Sequence, residues 1–297
     1  MTITKVAIAG GTGNLGPSIV KALLDADFEV TLLTRSTSDE QDPRTKIEVV
    51  DYDSLDSLTK ALTGQDALVN VLGYGTISKE IHQRVVDAAY KAGLQRILPS
   101  EFGSDTTNPL VAQLPFFAGK AALLKHVQEL AEKDKAFTWT ALFNGPFLDW
   151  GLKENFILDL KGPVTPIYDG GDVLFSTTTR DGIAQAVVGV LKHPDETKNC
   201  PVFVAEAEVS QNQLLQMSGR AGVVSTESVR TEDLEQRAMD ALQRTPPDHR
   251  LFAVNMIWRA IFSQDYGNRF VHLDNELLGV RELDESEVTE IVRQNCS

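Results

Sequence analysis

Along the first half of the chain, short apolar runs alternate with longer segments whose apolar residues recur every three or four positions. The run Val6-Ala7-Ile8-Ala9, bounded by glycine, reads as a buried parallel strand, and residues 17–24 after it read as a helix. A second strand is predicted over residues 28–34, ending at Arg35; residues 36–45 are polar, hold Pro43 and form a loop. Residues 47–50 make a short third strand, Ser54 caps a helix over 55–62, and residues 67–72 form the fourth strand. A strongly periodic helix over 81–92 is stopped by Gly93. Ile97 and Leu98 mark a fifth strand, a proline-bearing loop covers 105–115, a long helix covers 116–132, and a sixth strand covers 137–143. Strands alternating with helices imply right-handed crossovers and a parallel sheet with helices on both faces.

Past Asn144-Gly145-Pro146 the alternation stops. Gly162, Pro163, Pro166, Gly170 and Gly171 break residues 151–180 into short strands and turns; helices follow at 181–191, 210–217, 232–242 and 251–262, with a strand at 202–205. The expected fold class is therefore α/β. Residues 1–146 form a doubly wound parallel sheet, and residues 147–297 form a smaller substrate lobe interleaved with the end of that sheet.

The unusual residues collect where the predicted strands end, which is where open α/β sheets bind ligands. Gly11, Gly13 and Gly16 follow the first strand and open the first helix, the context that makes this spacing a Rossmann-type dinucleotide fingerprint. Gly11 is expected to make the tight turn, Gly13 to admit a diphosphate, and Gly16 to bring helix and strand together, so that Gly10, Thr12, Gly13, Asn14, Leu15 and Gly16 cradle the phosphates. An NAD site places an acid at the end of the second strand, but here Arg35 stands there. A guanidinium pairs bidentately with a 2′-phosphate, so NADP(H) is the expected cofactor, with Lys46, and Arg44 beside it, adding charge.

Composition narrows the partners. The chain has 297 residues with a formal net charge of −14 and no long basic run, so neither nucleic acid nor an anionic membrane is an expected partner. Two cysteines and five scattered histidines show no metal-ligand spacing, and sparse cysteine fits a reduced, cytoplasmic setting. Residues 1–10 are too short and too glycine-bounded for a secretion signal. Monomer and homodimer both stay open.

Many Rossmann reductases carry Tyr-x-x-x-Lys on the helix after the fifth strand. No lysine here has a tyrosine four residues earlier; Lys120 has Phe116 in that place. The amine itself becomes the candidate acid/base, with the helix start and packing by Phe116 and Phe117 lowering its pKa toward neutrality. Phe102, Phe147 and Trp150 are candidates for an aromatic wall over the nicotinamide, with core packing as the alternative for each, while Trp139 and Trp258 read as core. Asn144 is a candidate partner of the carboxamide or the substrate, with a structural turn role as the alternative.

The segments Gly10-Gly11-Thr12-Gly13-Asn14-Leu15-Gly16, Thr34-Arg35-Ser36-Thr37 and Leu98-Pro99-Ser100-Glu101-Phe102-Gly103, with a lysine about twenty residues later, resemble the isoflavone reductase-like family. That family includes phenylcoumaran benzylic ether and pinoresinol-lariciresinol reductases, within the NmrA-like group of atypical short-chain dehydrogenases. Phe147-Leu148-Asp149-Trp150 and Ser176-Thr177-Thr178 look more like fungal members. The resemblance runs from residue 5 to about 145 and implies an NADPH-dependent reductase of small aromatic molecules. It implies that Arg35 and Lys46 hold the 2′-phosphate, that Gly73, Ser100 and Phe102 line the nicotinamide, and that Lys120 is the acid/base. Two rivals keep the same fold: a dinucleotide-sensing regulator without chemistry, and a redox-neutral isomerase or cyclase.

Overall fold

Seven strands, all parallel, form one sheet in the order β3-β2-β1-β4-β5-β6-β9 in the computed structural model, which describes residues 2–36, 42–75 and 77–296. The first half supplies β1 (Lys5–Ala9), α1 (Gly16–Asp25), β2 (Glu29–Thr34), β3 (Lys46–Val49), α2 (Leu55–Leu62), β4 (Ala67–Asn70), α3 (Lys79–Lys91), β5 (Arg96–Leu98), α4 (Pro109–Gln113), α5 (Pro115–Lys133) and β6 (Thr138–Phe143). Every predicted element of this half is present, with ends shifted by one or two residues. The exception is α4, inside what reads as a loop. Asn108 caps it by accepting from the Leu110 N–H, and Pro109 occupies its first turn, where a missing N–H costs nothing.

The second half continues with α6 (Leu148–Lys153), β7 (Thr165–Tyr168), β8 (Phe175–Thr177), α7 (Arg180–Lys192), β9 (Cys200–Phe203), β10 (Ala207–Val209), α8 (Gln211–Met217), β11 (Thr226–Val229), α9 (Glu232–Leu242), α10 (His249–Phe262), α11 (Asn275–Leu278) and α12 (Glu285–Asn295). Its strand β9 closes the main sheet beside β6, and α7 packs on α1. One face of the sheet is therefore covered by α1 and α7, around Ile8, Ile19, Leu32, Val187 and Leu191. The other face is covered by α2, α3 and α5, around Leu58, Val85, Leu124 and Phe137. Elements α6, β7, β8, β10, α8, β11, α9, α10 and α12 surround a separate core of Leu152, Ile157, Phe175, Leu214, Leu234 and Phe262. Among the described residues no helix is long and apolar enough to cross a membrane.

A guanidinium ties the seventh strand's approach to the sheet. Arg96, fully buried in β5, donates to the Thr138, Thr140 and Thr197 hydroxyls at 2.9, 2.9 and 3.0 Å and to the Pro194 carbonyl. Burial pulls its pKa down to about 10, and the four acceptors make that burial tolerable.

Candidate active site

Parallel strands bring their C-terminal ends to one edge. Gly10 follows β1, Arg35 follows β2, Gly73 lies beyond β4, Ser100 to Gly103 follow β5 and Asn144 follows β6, so all of these share the ligand-binding edge. The glycine loop is built there, but with one role moved. The turn itself falls on Gly10, whose φ is +90°, and a Cβ there would lie 2.8 Å from the Val71 carbonyl carbon. Gly11 is not in the left-handed region; its constraint is the Leu32 side chain, 2.8 Å from a would-be Cβ. Gly16 packs against the Gly11 carbonyl with no room for a side chain. At Gly13 a Cβ would meet only the Gly10 oxygen, at 3.3 Å, so the loop surface of Thr12, Gly13 and Asn14 is open. Leu15 turns inward into the core, cannot cap α1, and no acid stands in that helix's first turn. The helix offers its positive end to an anion.

Arg35 is exposed just past β2. Lys46 does not join it. Lys46 pairs with Thr31 while Thr34 pairs with Val49, so Lys46 begins β3 four residues, about 13 Å, below the level of Arg35. Its Nζ is engaged by Glu48 at 2.7 Å, and Arg44 by Asp42 and Asp25 at 2.8 and 3.1 Å. Thr37 lies outside the described residues, as do Asp39 and Glu40.

Lys120 comes to the same edge from α5 and is 8% exposed. Its ammonium donates to the main-chain carbonyl of Glu101, stands 3.9 Å from Glu101 Oε2, and lies over the Tyr74 ring, 5.4 Å from the centroid. Tyr74 is stacked on His82, with ring centroids 3.9 Å apart. The Thr106 hydroxyl donates to Glu101 Oε2 at 2.9 Å, and Phe102 takes a positive φ of 23° to turn the chain around this knot. Burial lowers the Lys120 pKa, partly opposed by Glu101, and burial raises that of Glu101, partly opposed by Lys120. The helix start contributes little, because Lys120 stands beyond the first turn of α5. Burial also pulls His82 down to about 4, with the Lys120 charge adding to it and the Gly73 backbone opposing.

The other expected residues divide. Gly73 is exposed at the edge, and Phe102 is half-buried against the α1 side of the sheet. Ser100 is buried and its hydroxyl donates to the Leu72 carbonyl at 2.7 Å, joining the ends of β4 and β5. Asn144 is fully buried; its Nδ2 donates to the Gly145 carbonyl at 2.7 Å, while its Oδ1 has no partner. Phe147 and Trp150 start a run of rings, 6.4 Å apart, that continues through Phe156 to Trp258 at 5.7 and 5.9 Å. Trp139 is core as expected, but Trp258 is half-buried in that run, its Nε1 donating to the Phe156 carbonyl. Sequence reasoning missed roles for Glu101, Tyr74 and His82. Glu101 was visible inside the Pro99 to Gly103 segment, but Tyr74 and His82 carry no local signal.

The pattern that defines the NmrA-like family matches residues 2–250. Oxidoreductase aprR of Aspergillus flavus is 33% identical over 301 residues, covering 96% of this chain and 97% of the relative. Oxidoreductase poxI of Penicillium oxalicum is 36% identical over 238 residues, covering 76% and 74%. Among solved structures, AtPrR2 with NADP+ and (+)pinoresinol superposes with a TM-score of 0.77 at 19% identity, covering 99% of each chain. Leucoanthocyanidin reductase with NADPH from Vitis vinifera gives 0.76 at 20% identity, covering 97% of this chain and 98% of that one. On the extent of that match and of the fungal identities, the chain belongs to the NmrA-like family.

Proposed function

We propose that this chain is an NADP(H)-dependent oxidoreductase that reduces a small aromatic substrate, with Lys120 as its proton donor. The observation that carries the reading is a buried lysine held at the strand edge that also carries an open glycine loop. The residues present fit the dinucleotide. Gly13 leaves the loop surface open, α1 has neither a side-chain cap nor an acid at its start, Arg35 stands where NAD sites carry an acid, and Asn144 offers an unpartnered buried oxygen for an amide N–H. The fungal relatives are named oxidoreductases, and two solved structures of the same fold hold NADP+ or NADPH, one of them with pinoresinol.

When bound, NADPH supplies a hydride. The chain's own residues handle the rest. Residues 10–16 and Arg35 hold the phosphates, Asn144 orients the nicotinamide amide, and Phe102, Phe147 and Trp150 pack on flat rings. Lys120 gives its Nζ proton to the substrate oxygen while the Glu101 carbonyl and carboxylate hold the amine in place. A pKa lowered by burial eases that transfer.

The test is loss of NADPH absorbance across a panel of aromatic ketones and benzylic ethers, with Lys120→Met alongside. A positioned general acid is worth about 10²–10⁴-fold, so turnover should fall by that much at near-normal NADPH affinity. Full turnover by a folded Lys120→Met protein removes the lysine from the mechanism. Product formed without NADPH consumption selects the redox-neutral alternative.

A further inference from the structure

The glycine loop carries no cation. Residues 10–16 are uncharged, and the first basic residue of α1, Lys21, stands beyond the first turn of that helix. A diphosphate bound there brings two negative charges to a protein whose net charge is already −14. Helix-end N–H groups meet part of that charge. The remaining positive group comes from the second half of the chain.

Arg180 is the first residue of α7, whose start lies against the loop. The Asp149 carboxylate fixes it twice, accepting from its main-chain N–H at 3.1 Å and from its Nε at 2.7 Å. That grip takes the inner edge of the guanidinium and turns the outer edge toward the glycine loop. There Nη1 meets the Asn14 carbonyl at 3.5 Å. The side chain is 32% exposed. A second bond, from Ser18 Oγ to Asp181 Oδ1 at 2.9 Å, holds the start of α7 on α1, so the placement does not depend on one contact. The partnering of residues 147 and 178 brings the two flanking segments together along the same line.

We infer that Arg180 supplies the positive charge for the diphosphate of the bound dinucleotide, and that Asp149 is the residue that aims it. The inference rests on the dinucleotide reading of the glycine loop. It adds that the cofactor site is incomplete without the second half of the chain. Arg35 addresses what distinguishes NADPH from NADH, whereas Arg180 addresses what the two share. A clasp between lobe and loop alone would use the same Asp149–Arg180 bonds but would leave cofactor affinity unmoved.

The experiment is equilibrium titration, by calorimetry, of the full chain with NADPH, NADH and adenosine 2′-monophosphate, which has the 2′-phosphate but no diphosphate. Arg180→Ala should weaken NADPH and NADH by the same factor, about 10- to 150-fold for a lost charge-assisted contact, and leave adenosine 2′-monophosphate unchanged. Arg180→Gln keeps a hydrogen-bonding side chain for Asp149 without the charge and should behave as Arg180→Ala does. Asp149→Asn should give a smaller, parallel loss for both dinucleotides. Dinucleotide affinities within twofold of wild type in a folded Arg180→Gln protein overturn the inference, as does equal weakening of adenosine 2′-monophosphate. Wild-type protein that binds neither dinucleotide overturns the underlying reading as well, a distinct result.

Discussion

Lys120 donates to the main-chain carbonyl of Glu101 while the carboxylate of the same residue stands 3.9 Å from its Nζ, so one residue both orients the amine and biases its charge. The carbonyl bond survives any side-chain change at 101, whereas the bias does not. Both groups are buried, and each opposes the other's burial shift.

Glu101→Gln should therefore leave Lys120 in place and lower its pKa further, because the group that raised it is gone. If the ammonium is the acid, the pH above which kcat falls should move down. A pH–kcat profile checks this, and an unmoved upper limb means that Glu101 is already neutral when the reaction occurs.

Cofactor preference should be concentrated at Arg35. Arg35→Ala is expected to weaken NADPH by about 10- to 150-fold and leave NADH nearly unchanged. Lys46→Ala should change neither by more than about twofold, because its ammonium faces Glu48 at the far end of β3. Parallel titrations of the two dinucleotides separate these outcomes.

His82 should give the fold an acid-side weakness. Its folded-state pKa of about 4 lies below the ordinary value near 6.5, so under pH 6.5 the unfolded chain takes up a proton that the folded chain refuses. Stability is lost as pH falls from about 6.5 toward 4, by about 2 kcal/mol at pH 5 from this group alone. His82→Phe keeps a ring against Tyr74 and has no proton to bind. Urea unfolding at pH 7 and pH 5 should show the variant losing about that much less than the wild type.

Gly13→Ala and Gly16→Ala should fail in different ways. At Gly13 the added methyl meets only the Gly10 oxygen, so the protein should keep its melting temperature and lose dinucleotide affinity. At Gly16 the methyl overlaps the Gly11 carbonyl, so α1 must move and the melting temperature should fall. Thermal melts with and without NADPH distinguish the two.

The sequence by itself determined the alternation of strand and helix through residue 143, the glycine turn after β1, the helix starts at Ser54 and Ser210, and Arg35 at the tip of β2. All of these depend on neighbours a few positions away: apolar periodicity, a capping oxygen, a residue that ends a strand. Lys120 was legible as a candidate because a family pattern surrounds it, not because its position announces burial. Tertiary structure decided the rest. Strand register placed Lys46 a strand's length from Arg35, a separation that eleven residues of sequence do not reveal. Burial, which shifts the pKa of Lys120, Glu101 and His82, arises only when β4, β5, α3 and α5 are packed together. The contact of Arg180 with Asn14 spans 166 positions and forms only because α7 returns to α1. Local patterns are written in short stretches of chain, whereas charge, register and dielectric surroundings belong to groups that meet only after folding.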